Sequence, residues 1–128
     1  MVNVKVSTTV GETEDPERVK LAVKNFFHSA ELVGRSVTAI PEQEELEELR
    51  NKIAAKGIGT TILDQLIKNK VGGKTSIMLH KQAAFAGKLA VVDNPKESPG
   101  GPIVVEIEWD DEFVQWISGS RLPEKNHR

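Results

Sequence analysis

The sequence contains no cysteine. That excludes disulfides, thiolate metal sites and a cysteine nucleophile. It fits a reducing cytoplasm, and it is equally compatible with a heat-adapted source. Tyrosine is also absent and aromatic residues make up only 5%. A broad base-stacking sheet of the RNA-recognition-motif kind is therefore not expected. No apolar run approaches the roughly 20 residues of a membrane-spanning helix, so no membrane is expected as a partner. The opening MVNVKVSTTV alternates and lacks an apolar core, so it reads as structure rather than a secretory signal. Internal repeats and low-complexity segments are missing too.

What remains is ordinary globular material. A chain of 128 residues with 38% hydrophobic content suits one domain around one core. The formal net charge of −2 argues against a generic nucleic-acid binder. Its distribution says more. Residues 50–88 carry Arg50, Lys52, Lys56, Lys68, Lys70, Lys74, Lys81 and Lys88 against Asp64 alone, a balance of +7. The rest of the chain holds nine basic and eighteen acidic residues, a balance of −9. Such a split gives one small domain an asymmetric field.

The stretch TSIMLHKQAAFAGKLAVVD, residues 75–93, holds two short apolar runs, at 77–79 and 89–92. It reads as a β-hairpin in mid-sheet. Its long connector contains Gly87, which predicts a bulge or wide loop, and places Lys81, Gln82 and Lys88 near the turn. Upstream, Val2, Val4, Val6 and Val10 share one parity and form a half-buried strand. Asp15 caps a helix with Pro16 in first position, and Val19, Ala22, Val23 and Phe26 form its apolar stripe. Residues 31–40 read as one strand, with Gly34 as a bulge or close-packing point. Pro41 opens a helix striped by Leu46, Leu49 and Ile53, which Gly57 ends. Residues 58–71 form a third helix, with Ile62, Leu63, Leu66 and Ile67 inward. Gly72 and Gly73 stop it.

The segment NPKESPGGP, residues 94–102, reads as an exposed, mobile loop. Ile103, Val105, Ile107 and Trp109 alternate with Val104, Glu106 and Glu108, a strand with one wet face. Asp110 and Asp111 are cap candidates for a last helix bearing Phe113, Trp116 and Ile117. The predicted fold is α+β, in the order β-α-β-α-α-β-β-β-α. Helices pack on one face of a largely antiparallel sheet. Residues 1–118 form the single domain and 119–128 a polar tail that frays.

The segments TEDPERV, LHKQAAFAGKLAVVD and GPIVVEIEWDD together resemble an uncharacterised family of archaeal proteins labelled RNA-binding. The resemblance spans residues 4–117, and KQAAF followed by Gly87 is its most distinctive piece. Members typically have Asn where this chain has His80. The resemblance implies a fold like the large-subunit ribosomal protein that contacts 5S rRNA, and it implies no established activity.

Each local signal has a plainer competitor. Gly72-Gly73-Lys74-Thr75-Ser76 looks like the tail of a phosphate loop. However, Lys68 stands where that loop needs glycine, and the order is helix then strand. The three histidines, His28, His80 and His127, are scattered, so neither a metal nor a cofactor is expected. The acidic runs at 42–48 and 110–112 read as a solvated face and as caps, not as paired catalytic carboxylates. Phe85 either stacks on an unpaired base or turns inward to pin the hairpin.

The leading expectation is a non-enzymatic module that binds structured RNA through a lysine-rich face. Lys74, Lys81, Gln82, Phe85 and Lys88 would stand at its centre, with Lys52, Lys56, Lys68 and Lys70 as outer contacts. The alternative is a protein-interaction or homodimerising domain without nucleic-acid binding, using the second sheet face.

Overall fold

A computed structural model describes residues 2–123. Its centre is an antiparallel sheet of five strands. These are β1 (Val4–Thr9), β2 (Glu31–Val33), β3 (Ser36–Ala39), β4 (Lys74–Leu79) and β5 (Ile103–Glu108), ordered β2-β3-β1-β5-β4. Five helices accompany them: α1 (Pro16–Lys24), α2 (Gln43–Lys56), α3 (Gly59–Lys68), α4 (Lys81–Phe85) and α5 (Asp111–Ser118). The α+β class and the helix-covered antiparallel sheet are as the sequence predicts.

Alternation decides which face is covered. Val4 and Val6 of β1 align with Ile107 and Val105 of β5, and Ile77 of β4 aligns with Val105. All are buried, together with Val37, Ala39, Leu79 and Ile103. Helix side chains complete that core: Val19, Val23, Phe26 and Phe27 from the α1 region, Leu46, Leu49 and Ile53 from α2, and Ile62 and Leu66 from α3. The opposite face carries Lys5, Ser7, Val104, Glu106, Glu108, Lys74 and Ser76, none of them buried. In register, Lys5 faces Glu106 and Lys74 faces Glu108.

Local chemistry sets the helix ends. The Asp15 side chain accepts from the Glu17 N–H, and Asp110 accepts from the Phe113 N–H at 3.0 Å. Gly59 opens α3. A Cβ at that residue would lie 2.2 Å from the Ser118 carbonyl oxygen, so α3 and α5 meet there at glycine distance.

Four details depart from the sequence reading. Residues 31–40 form the hairpin β2–β3, turned at Gly34 (φ 61°), and not one strand. Val33 and Ile40 consequently stay exposed, while Val37 and Ala39 are buried and Leu32 packs partly against the core. Ile67, expected inside, is 40% exposed, because the buried side of α3 is made by Ile62, Leu63, Gln65 and Leu66. The connector after β4 contains α4. Residues 89–92 make only one bridge, Val91 to Leu79, because the Gln65 carboxamide takes the next ladder position. Its Oε1 accepts from the Met78 N–H at 2.7 Å and its Nε2 donates to the Val92 carbonyl at 2.8 Å.

The 94–102 segment is not a slack loop. It contains a 3-10 turn at Pro95–Glu97, capped by Asn94, and Ser98 is buried. Of the expected tail, Leu122 packs partly on the core and its N–H donates to Gln115 Oε1 at 2.9 Å. Residues 124–128, including His127, lie outside the described residues. Among the described residues no helix is long and apolar enough to cross a membrane.

Candidate nucleic-acid interface

One exposed basic group sits where α3 turns into β4. Gly72 and Gly73 both take positive φ, 58° and 82°. Two such residues in succession close the tight turn between Val71 and Lys74, a conformation costly for other residues. Lys68, Lys70 and Lys74 surround the turn and all are exposed. Asn69 Nδ2 donates to the Ser76 carbonyl at 3.0 Å and ties the end of α3 to β4. The Lys70 ammonium lies 4.3 Å from the centroid of the Trp109 ring. Trp109 is itself fixed. Its backbone N–H donates to the Gly73 carbonyl at 2.9 Å and its indole N–H donates to Asp111 Oδ1 at 2.7 Å.

A second group surrounds α4. His80 takes extended backbone, and its Nδ1 accepts from the Ala83 N–H at 3.1 Å. An N-cap acceptor is the ordinary work of an asparagine, the residue expected at this position in the resembling family. Gln82 and Lys88 are exposed. Phe85 ends α4 half-buried against the core, with the Arg18 guanidinium 5.4 Å from its ring centroid.

Lys81 departs from the expectation. It is fully buried, at 0% exposure. Its ammonium donates to the Thr9 carbonyl at 2.7 Å, the Gly100 carbonyl at 2.8 Å and Glu14 Oε1 at 3.1 Å. Three donors meet three acceptors, which is what a buried ammonium needs. Lys81 therefore has nothing left for a phosphate. Its backbone N–H also donates to Ser98 Oγ at 2.9 Å. Three distant segments are thus fastened at one residue.

The third group lies on α2. Lys52 and Lys56 are exposed on its C-terminal half. Arg50 leaves them for α5, where Nε donates to the Trp116 carbonyl at 2.9 Å and the guanidinium covers the Trp116 ring at 5.3 Å. Trp116 of the last helix is half-buried. Lys68, Lys70 and Lys74 are thus exposed residues near one another in the chain, flanking the α3–β4 turn. Gln82, Phe85 and Lys88 lie past the other end of β4, and Lys52 and Lys56 are on a separate helix.

One acidic residue also departs from the reading. Glu45 is buried, not solvated. It accepts from the Ser29 N–H and Oγ at 3.1 Å each and from the Glu42 N–H at 2.9 Å. Burial pushes its carboxyl up, but these hydrogen bonds outweigh it and hold the group below its ordinary value. A carboxylate kept ionised in this way is poorly suited to donate a proton. The described residues contain no group of three or more His, Asp or Glu placed to hold a metal ion.

A protein-family model described as RNA binding matches residues 3–109. The chain belongs to this family. A UPF0201 protein of Sulfurisphaera tokodaii is 32% identical over 127 residues, covering 92% of this chain and 88% of that protein. The crystal structure of an uncharacterised UPF0201 protein has the same fold. Its TM-score is 0.76 at 20% identity, covering 98% of this chain and 99% of that one. The UPF0201 protein from Methanococcus jannaschii matches with a TM-score of 0.71 at 24% identity, over 91% and 92% of the two chains. The family match contains Glu14, Lys81 and Gly100, so the buried lysine and its acceptors lie within the shared domain.

Several residues placed at the surface groups were missed from the sequence. Trp109, Arg50, Trp116 and Arg18 pair across elements, and no local spacing announces such pairs. Only the position of Trp109, at the polar end of a strand beside two aspartates, hinted at a half-wet indole.

Proposed function

We propose that the protein is a non-enzymatic module that binds structured RNA by phosphate contacts from exposed lysines. The observation that carries this reading is the α3–β4 corner, where the exposed Lys68, Lys70 and Lys74 flank an exposed glycine turn in the chain. The chain's membership of a family described as RNA binding supports it. The reading needs no reacting group, because a lysine ammonium holds a phosphate as a point charge. Lys52, Lys56 and Lys88 are outer contacts, while Gln82 and Phe85 stand beyond the far end of β4. That strand spans roughly 20 Å, a distance a duplex backbone bridges and a single phosphate does not.

Filter binding against structured RNA in low salt tests the proposal. Retention at micromolar protein is expected, weakening steeply as salt rises. Replacing Lys68, Lys70 and Lys74 together by alanine should lower the salt slope by about three units. No retention by demonstrably folded protein overturns the reading.

The outer sheet face supports a second reading, a homodimer. Lys5 opposite Glu106 and Lys74 opposite Glu108 give that face charges of both signs. A second copy, turned over, could set cation against anion. Light scattering that finds a monomer at high concentration removes it.

A further inference from the structure

The short cleft between α1 and α4 has chemistry different from the lysine corner. It is lined by Thr13, Glu14, Asp15, Arg18, Gln82 and Phe85, with a volume of about 250 Å³. Its walls are fastened to each other. Asn25 Nδ2, just past α1, donates to the Ala84 carbonyl of α4 at 2.7 Å. The Glu14–Lys81 ion pair joins the approach to α1 with the first residue of α4. Phe85 offers a ring face, and the exposed Arg18 side chain lies across it. Arginine and an aromatic ring on one site make a stacking place for a flat ligand.

The charges say which flat ligand. Glu14 is occupied by Lys81 and by the Gly11 N–H, which donates to its Oε1 at 2.7 Å. Asp15 uses Oδ1 to cap α1, accepting from the Glu17 N–H at 3.1 Å, which leaves Oδ2 for a ligand. Arg18 is the one exposed cation of the cleft and is balanced by Asp15. Such a site does not favour phosphate. It favours a neutral ring that presents hydrogen-bond donors to a carboxylate and stacks on the exposed Arg18 guanidinium, which itself lies on the Phe85 ring.

We infer that this cleft takes an unpaired guanine of the bound RNA. Guanine presents two adjacent N–H donors on its pairing edge, one for the free Asp15 Oδ2 and one for the lone pair that the helix cap leaves on Oδ1. The exposed Gln82 amide can donate to its carbonyl oxygen. This rests on the RNA reading and adds a base preference that lysines alone cannot give.

The experiment compares a ten-residue oligouridine with the same oligomer carrying one central guanine or one central adenine, by fluorescence anisotropy. A structured RNA duplex is titrated in parallel. The full chain should prefer the guanine oligomer by roughly tenfold. Asp15→Asn keeps a good helix cap, so it should remain folded and lose the preference. Phe85→Leu should weaken the three oligomers and leave the duplex affinity unchanged. Equal affinity for the three oligomers, or a preference that survives Asp15→Asn, overturns the guanine site while duplex binding leaves the RNA reading standing. No binding to any RNA overturns both.

Discussion

The Lys81 ammonium sits 3.1 Å from Glu14 Oε1, across 67 residues of chain, with the lysine side chain wholly buried. The pair joins the end of β1, the start of α1, α4 and the segment before β5 into one polar knot. Removing one member of a buried pair strands the other without a partner. Lys81→Ala should therefore cost about 3–5 kcal/mol in chemical denaturation. Lys88→Ala, at an exposed position, should change stability by less than about 0.5 kcal/mol. If Lys81→Ala melts like the parent protein, the knot does not hold the fold together.

Glu45 gives a prediction with a definite sign. Its folded value lies below its unfolded value, so the unfolded chain binds more protons between the two. The stabilisation is present above the ordinary carboxylate value of 4.5 and is lost as pH falls through the folded one. At neutral pH, Glu45→Gln should cost about 1–3 kcal/mol, since it weakens charge-assisted hydrogen bonds. Urea denaturation of both proteins at neutral pH and below pH 4 checks this. The gap between them should narrow in acid, and a gap that widens contradicts the assignment.

Local signals were legible in the sequence and remote ones were not. Asp15-Pro16-Glu17 announces α1 because cap, ring and carboxylate act within one turn. The alternation from Ile103 to Glu108 announces β5 for the same reason. The β2–β3 hairpin escaped because β2 is only three residues long, and Gly34 within an apolar stretch resembles a bulge. Helix α4 has five residues, too few for any period to appear. Lys81 looked like a surface lysine because what buries it lies in Thr9, Glu14 and Gly100. The charge split was real in composition. However, the fold spends Lys81 inside, sets Lys70 and Arg50 on indoles, and spreads the others over three places.

His80 occupies a capping position that asparagine fills well. His80→Asn should preserve the bond to the Ala83 N–H and leave stability unchanged or slightly raised. His80→Ala should cost about 0.5–2 kcal/mol. Thermal melts of the two variants decide it. Equal melting of the alanine and asparagine forms would mean that the cap contributes nothing.

Gly59 tests how closely α3 and α5 are packed. Its backbone is not at positive φ, so the cost of a substitution is steric: the new Cβ meets the Ser118 carbonyl and, more loosely, Ser120 Oγ. Gly59→Ala should destabilise by about 1–3 kcal/mol, the usual cost of overpacking. An exposed helix position would instead gain from the same change. Denaturation midpoints distinguish a loss from a gain, and a gain would show that the two helices separate easily.

The last prediction uses the tryptophans as reporters. The chain has two, Trp109 and Trp116. Trp116→Phe leaves Trp109 as the single emitter, beneath the Lys70 ammonium at 4.3 Å. RNA phosphates at the α3–β4 corner should draw Lys70 off the ring, because a phosphate is a stronger partner than an indole face for an exposed ammonium. Trp109 emission should therefore change saturably on titration with structured RNA, and the change should vanish at high salt. Lys70→Ala in the same background should abolish most of the change while only modestly weakening binding, since one of several phosphate contacts is lost. Undiminished RNA binding with a silent Trp109 would place the contact elsewhere on the molecule, with Lys52, Lys56 and Lys88 as the next residues to replace.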